Sequence, residues 1–205
     1  MKKHWTPTYI LNRIKTGIYW KLNQDKPWLT KKANEYLDKN LNKQMVGLEF
    51  GSGRSTIFFA KKLNKLISVE NNKEWYTKVQ SLLEEQKIKN VDYRIANVDN
   101  DNPDISDYHN IIDEFNDEYF DFILVDGVIR DLCALKAVCK LKSGGLLVID
   151  NVNWFFPSNS IAPNSVPIDG TLIGRNWSVV YGKIKNWKKI WTTNGVTDTA
   201  IYIKP

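Results

Sequence analysis

The chain is short of the residues from which metal centres and disulfide scaffolds are built. It has two cysteines, Cys133 and Cys139, and two histidines, His4 and His109, in 205 residues. No Cys-x-x-Cys pair or Cys/His cluster is present, which excludes a zinc site and a disulfide framework. No apolar run has the length of a membrane span, and none follows Met1-Lys-Lys-His-Trp5. Neither a span nor a secretory signal is therefore expected, and a cytoplasmic location is. No repeat recurs at a fixed period, so solenoid and collagen-like architectures are excluded. Disorder throughout is excluded too, because 42% hydrophobic and 25% charged residues are globular proportions. At 23.8 kDa the chain has the size of one domain with a full core.

Charge is unevenly placed along it. The net charge is +6, yet residues 92–131 hold twelve acidic and two basic residues. The remaining chain holds 27 basic and 11 acidic residues. A basic surface with an acidic belt attracts an anionic substrate or nucleic acid, or is a set of solvated lysines on helix faces. Eight tryptophans are many for this length. Trp5, Trp20 and Trp28 lie near one end; Trp154, Trp177, Trp187 and Trp191 lie towards the other. Either the two groups line a shared pocket or they pack terminal elements together.

Apolar runs at 46–50, 120–125 and 145–149 predict buried parallel strands, with further candidates at 66–69 and 93–96. Helical spacing of apolar residues fills the stretches 56–63, 73–87 and 131–141. Such alternation predicts an α/β fold: a doubly wound, mostly parallel, Rossmann-like sheet built from right-handed βαβ units. At the end, Asn194-Gly195 separates two strand-like runs and predicts an antiparallel hairpin whose two turn residues take positive φ. Residues 1–45 read as helices, with Pro27-Trp28 between two of them. Residues 152–178 read as a long loop, too long to be filler.

The richest passage is Glu49-Phe-Gly-Ser-Gly-Arg-Ser-Thr56. It follows a strand and opens a helix. Gly51 and Gly53 permit a tight turn and close approach to a ligand, and the helix start offers free N–H groups to an anionic group. Glu70 ends the next strand, 19 residues after Gly51. An acid there binds ribose hydroxyls or caps a loop. The place of the third glycine of the dinucleotide fingerprint is taken by Thr56. That weakens the rival reading of a nucleotide-dependent oxidoreductase.

Glu49-x-Gly-x-Gly, Ser68-Val-Glu70, Phe120-x-x-x-Leu-Val-Asp126-Gly and Lys142-Ser-Gly-Gly-Leu-Leu-Val-Ile-Asp150 together resemble class I S-adenosylmethionine (SAM)-dependent methyltransferases of small bacterial type. The resemblance spans residues 46–205. It implies a seven-stranded sheet with an antiparallel last strand. It also implies a SAM-contacting set of Gly51, Ser52, Gly53, Ser55, Thr56 and Asp126. In that set Glu49 holds the loop or the methionine amino group, Glu70 holds the ribose, and Asn97 lies by the adenine. The division that follows is a helical extension (1–45), a cofactor-binding core (46–151), a substrate loop closing over the acceptor (152–178) and C-terminal strands (179–205).

Absences narrow the resemblance. Asp126-Gly-Val-Ile129 stands where base N-methyltransferases carry an Asp/Asn-Pro-Pro-aromatic motif, and neither cysteine follows a proline as in cytosine C5 enzymes. Both cysteines read as buried fillers. Asp126, Asp150 and Asn151 are hard oxygen donors suited to Mg²⁺. They are similar to the metal site of catechol- and caffeoyl-type O-methyltransferases, although no lysine base follows Asp126. Without a metal, one of the two aspartates is a general base, and a basic residue from 152–185, most plausibly Arg175, neutralises the pair. Arg130 reads as a surface ion pair, and His109 as a surface or capping residue. The expected reaction is O-methylation of a small molecule or glycan, with RNA modification on the basic surface as the alternative.

Overall fold

The computed structural model describes residues 5–172 and 174–205, with Arg175 described by its backbone alone. His4 and the side chain of Arg175 therefore lie outside the described residues. Two helices come first, α1 (Pro7–Leu22) and α2 (Lys31–Asn40). Each starts on a threonine cap: Tyr9 N–H donates to Thr6 Oγ1 and Ala33 N–H to Thr30 Oγ1. The alternating part runs β1 (Val46–Phe50), α3 (Arg54–Lys62), β2 (Lys65–Glu70), α4 (Lys73–Glu85), β3 (Val91–Ile95), the short α5 (Asp107–Asn110), β4 (Phe120–Val125), α6 (Arg130–Lys140) and β5 (Leu141–Asp150). It closes with α7 (Arg175–Ile184), β6 (Lys188–Thr193) and β7 (Asp198–Ile203).

The sheet order is β3-β2-β1-β4-β5-β7-β6. All pairings from β3 to β5 are parallel, and β7 runs opposite to both β5 and β6. This is the expected parallel sheet with a terminal antiparallel hairpin. Strand alternation divides the core. Phe122, Leu124 and Val148 face α2 and α3, while Ile123, Val125 and Ile149 face α6 and α7. Chain order reverses between β1 and β4, and ligands of open α/β sheets bind at such a switch point.

Several local expectations are corrected. The hairpin loop has four residues, 194–197, and only Gly195 has positive φ (+75°). Asn194 instead uses its Oδ1 to accept from Val196 and Thr197 N–H groups, an Asx turn that needs no left-handed asparagine. The stretch 152–178 is a loop only to Gly174, because α7 starts at Arg175 and carries on to Ile184. Its aromatics divide: Phe156 and Trp177 are core residues packed edge to face, while Trp154 stays partly exposed. Cys133 is buried but Cys139 is exposed. His109 is buried, with Nδ1 lacking a partner among the described residues, and burial together with Lys136 holds its pKa down.

Candidate functional site

The site begins where β1 stops. Gly51 N–H donates to Val69 O, and Asp126 N–H donates to Phe50 O, so the glycine loop and the end of β4 are held side by side. Gly51 has φ +93°, and a Cβ there would lie 2.9 Å from the main chain of Asp126 and Gly127. Gly53 has φ +153° and caps α3. Thr56 Oγ1 reaches back to accept from Gly53 N–H (3.0 Å), half of a capping box. That is why threonine occupies the position of the third glycine.

Glu49 lies wholly buried in β1, opposite Ser68 of β2, whose Oγ donates to Glu49 Oε1 (2.7 Å). Oε2 is sealed from solvent with no hydrogen-bond partner among the described residues. Burial pushes the Glu49 carboxyl up to about 7, against the pull of the Thr56, Ser68 and Ser55 hydroxyls. A buried, unpaired carboxylate oxygen costs free energy until a donor or cation reaches it. Glu49, Ser55 and Thr56 are thus brought together at the foot of the glycine loop.

Glu70 fastens that loop to the start of α4. Its Oε2 accepts from Ser52 N–H (3.1 Å) and Ser52 Oγ (2.7 Å), and its Oε1 from the N–H groups of Asn71 (3.0 Å) and Asn72 (2.8 Å). All four acceptor positions of the carboxylate are used. Three donors are backbone and fixed; the Ser52 hydroxyl, which also meets Tyr93 Oη (2.7 Å), turns about one bond. Asn97 lies one residue past Ala96, whose N–H donates to Glu70 O. With Val98, Asp99 and Ile105 it lines a separate hollow of about 470 Å³.

The other half of the site lies at the ends of β4 and β5. Val125 pairs with Ile149, so Asp126 and Asp150 emerge as neighbours. Between them lies Arg130, the first residue of α6. Its Nε donates to Gly127 O (2.9 Å), and Nη1 to Asp150 O (2.7 Å) and Asn151 Oδ1 (2.9 Å). Nη2 donates to Asp126 O (3.2 Å) and lies 3.0 Å from Asp126 Oδ1. Four of the five guanidinium N–H groups donate hydrogen bonds, and the charge pairs with Asp126. Ile129 and Asn151, at φ +40° and +52°, are held in left-handed backbone on either side of this clamp.

The clamp decides the metal question for these residues. Asp126 Oδ1 and Asn151 Oδ1 face the guanidinium, and Asp150 Oδ1 accepts from Thr199 Oγ1 (2.6 Å). The trio does not form an open set of donors for Mg²⁺, and no other group of three His, Cys, Asp or Glu suits a metal among the described residues. Arg130 supplies a positive charge to Asp126; the expected role of Arg175 rests on a side chain outside the described residues. Activity is therefore expected to survive excess chelator, and Mn²⁺ titrated into the protein should show no tight site by electron paramagnetic resonance. A stoichiometric Mn²⁺ signal lost in Asp126→Asn would contradict this.

Asp126 keeps a partly exposed carboxylate paired with Arg130; burial raises its pKa, and the Arg130 charge opposes that rise. Asp150 is buried, and burial together with the nearby Asp126 charge pushes its carboxyl up to about 8. It is tied to the N-terminal extension through threonines. Thr30 N–H donates to Thr199 Oγ1 (3.3 Å), Thr192 Oγ1 to Thr199 O (2.9 Å), and the Thr30 and Thr192 hydroxyls lie 2.5 Å apart.

Asp126, Asp150 and Asn151 form the floor of a cavity of about 390 Å³. Its walls include Tyr9, Arg13 and Trp20 from α1, Trp28, Trp154, Asn164 and Thr197. Trp20, Trp28 and Trp154 thus share a pocket, whereas Trp177 is core. Tyr9, Arg13 and Thr197 carried no sequence signal, because only the packing of α1 over the hairpin brings them here. The roof is joined to the glycine loop by Arg54, which donates to Trp20 O (3.1 Å) and lies over the Trp28 ring at 5.2 Å.

No family model and no curated protein matches this chain. Solved structures do. One is a Staphylococcus aureus protein described as a candidate caffeoyl-CoA O-methyltransferase, at TM-score 0.56 and 16% identity, covering 98% of this chain and 93% of its own. A Streptococcus thermophilus rRNA methylase aligns at TM-score 0.53 and 12% identity, over 85% of this chain and 95% of its own. A candidate methyltransferase from Streptococcus mutans, solved in complex with SAH, aligns at TM-score 0.52 and 14% identity, over 83% and 94%. The seven-stranded fold of this chain, with its single reversed strand, is the fold of these methyltransferases.

Proposed function

We propose that this protein is a SAM-dependent methyltransferase that acts on an oxygen of a small molecule or sugar. The carrying observation is one residue shared by two half-sites: Asp126 borders the glycine loop on one side and the aromatic cavity on the other. The cofactor, when bound, supplies an electrophilic methyl group on a sulfonium. Glu49 Oε2 is an unpaired buried acceptor suited to the methionine ammonium, and the first N–H groups of α3 suit its carboxylate. Glu70 takes a ribose hydroxyl at the acceptor position freed once the Ser52 hydroxyl turns aside. Asn97 and its neighbours lie on the adenine side.

On the acceptor side, Asp150 takes the proton from the hydroxyl that is methylated. Its carboxyl, held up at about 8, is a stronger base than an ordinary aspartate and a matched one near neutral pH. Asp126, fixed by Arg130, orients the acceptor from the loop side. Trp20, Trp28 and Trp154 offer flat faces to an aromatic ring or the apolar face of a sugar, and exclude water. The named O-methyltransferase among the structural neighbours supports this reading.

Calorimetry with S-adenosylhomocysteine tests it. One site per chain is expected. Glu70→Ala should weaken binding by about 2–3 kcal/mol, the scale of lost charge-assisted hydrogen bonds. Ser52→Ala, which removes only the displaceable donor, should bind at least as well as the native chain. Unchanged affinity in a folded Glu70→Ala protein would remove the ribose assignment. Salt-sensitive gel shifts with RNA, without turnover on small acceptors, would favour the nucleic-acid reading instead.

A further inference from the structure

Helix α1 is built the wrong way round for a soluble surface helix. Its inward face is polar and aromatic: Tyr9, Arg13 and Trp20 line the cavity and Thr16 is buried. Its outward face is apolar. Ile10, Leu11, Ile14, Ile18 and Leu22 are exposed by 41%, 57%, 54%, 54% and 78%. Leu11, Ile14, Ile18 and Leu22 recur at three- and four-residue spacing, so they form one stripe. Amphipathic surface helices of soluble domains turn such a stripe into the core. Here the core is complete without it, and a stripe this long left in water marks an interaction surface.

Charge selects the occupant. Lys15 and Lys21 border the stripe, both are exposed, and neither forms an ion pair among the described residues. The sequence from Met1 to Gln24 contains five basic residues and no acidic one. Pairing α1 with α1 of a second copy would bring like charges together with nothing to complement them. An anionic lipid surface complements both features at once: the apolar stripe enters the headgroup boundary and the lysines meet the lipid charge. The helix cannot cross a membrane, since no described helix is long and apolar enough. We infer that α1 is an interfacial helix that lays this protein on anionic membranes, with the roof of the acceptor cavity on its other face.

Vesicle flotation of the full chain tests the inference. Vesicles of equal phosphatidylcholine and phosphatidylglycerol should carry the protein at low salt, and phosphatidylcholine alone should carry far less. Each lysine near such a surface contributes about fivefold, so Lys15→Gln with Lys21→Gln should cut partition by about 25-fold. Ile14→Asp with Ile18→Asp should abolish it, with the circular dichroism spectrum and S-adenosylhomocysteine binding unchanged, because these side chains touch neither core nor site. Sedimentation velocity without vesicles should give a monomer. Absence of binding to anionic vesicles would overturn the inference. So would a dimer that Ile18→Asp dissociates, since the stripe would then belong to a second copy. The outcome does not depend on the methyltransferase reading, which the calorimetry decides separately.

Discussion

Asp150→Asn is expected to lower turnover by about 10²–10⁴-fold, the range for loss of a general base, while making the protein more stable. The two effects have one cause. The Asp150 carboxyl is buried beside the charge of Asp126, which raises its pKa from the ordinary 3.8 to about 8. The unfolded chain ionises near 4 and the folded chain only near 8, so stability is lost as pH rises between those values and the loss levels off above them. Asparagine cannot ionise, and its amide oxygen still accepts from Thr199. The stability gain over the native chain should therefore grow from about pH 4 to about pH 8, by about 2–4 °C in Tm for each kcal/mol released. Turnover of the native enzyme should climb with pH towards a plateau above about 8, and the residue left in the variant should lose that dependence. Thermal melts across pH and a pH–rate profile check both halves. Native turnover in Asp150→Asn would remove Asp150 from the chemistry.

Gly51→Ala should be severely damaging for a single methyl. The backbone there has φ +93°, and the new Cβ would lie 2.9 Å from three main-chain atoms of Asp126 and Gly127. Left-handed strain costs about 1–2 kcal/mol and the overpacking about 1–3, so a loss of about 2–5 kcal/mol is expected. For a chain of this size that is on the order of 10 °C in Tm. S-adenosylhomocysteine binding should be lost as the glycine loop and the end of β4 move apart. At Gly53 the nearest atom to an added Cβ is Trp75 Cζ2, at 3.5 Å, an ordinary contact. Gly53→Ala should meet backbone strain alone and lose less. Equal melting temperatures for the two variants would show that the crossing with β4 is not what constrains Gly51.

The strands could be read from the sequence because two-sided burial leaves continuous apolar runs such as Phe120–Val125, and the turn glycines mark where they stop. The glycine loop, Glu49 and Glu70 were legible for the same reason: they are fixed by position along one βαβ unit. Arg130 was not. In sequence it is one arginine four residues from an aspartate, which reads as a helix-surface ion pair. Its role comes from carbonyls of Gly127, Asp126 and Asp150, and backbone acceptors have no letter of their own. The cavity was only half legible. The tryptophans at both ends of the chain pointed to it, but Trp177, identical in type, packs into the core, and nothing local distinguishes it from Trp154. Tyr9 and Arg13 become visible only when α1 is placed against the hairpin. His109 failed differently: a lone histidine in an acidic stretch looks solvated, and its burial depends on α6 packing over it.

The threonine contacts behind Asp150 bear on the order in which the molecule assembles. Thr30 meets Thr192 and Thr199 across 162 and 169 residues of chain. Contacts of such separation form late, because a long loop must close before they return any stabilisation. The pairs β1–β2, β2–β3 and β4–β5 gather through short βαβ steps, β4 then joins β1, and these strands supply most of the apolar core. The carboxylate of Asp150 acquires its setting only when the last hairpin and the cap of α2 arrive together. During synthesis the glycine loop and Glu70 leave the ribosome well before β7 does. On the proposed reading, the cofactor half of the site is laid down first and the proton-accepting half last, so a chain caught between the two stages would have the means to hold a nucleoside but no base with which to use it.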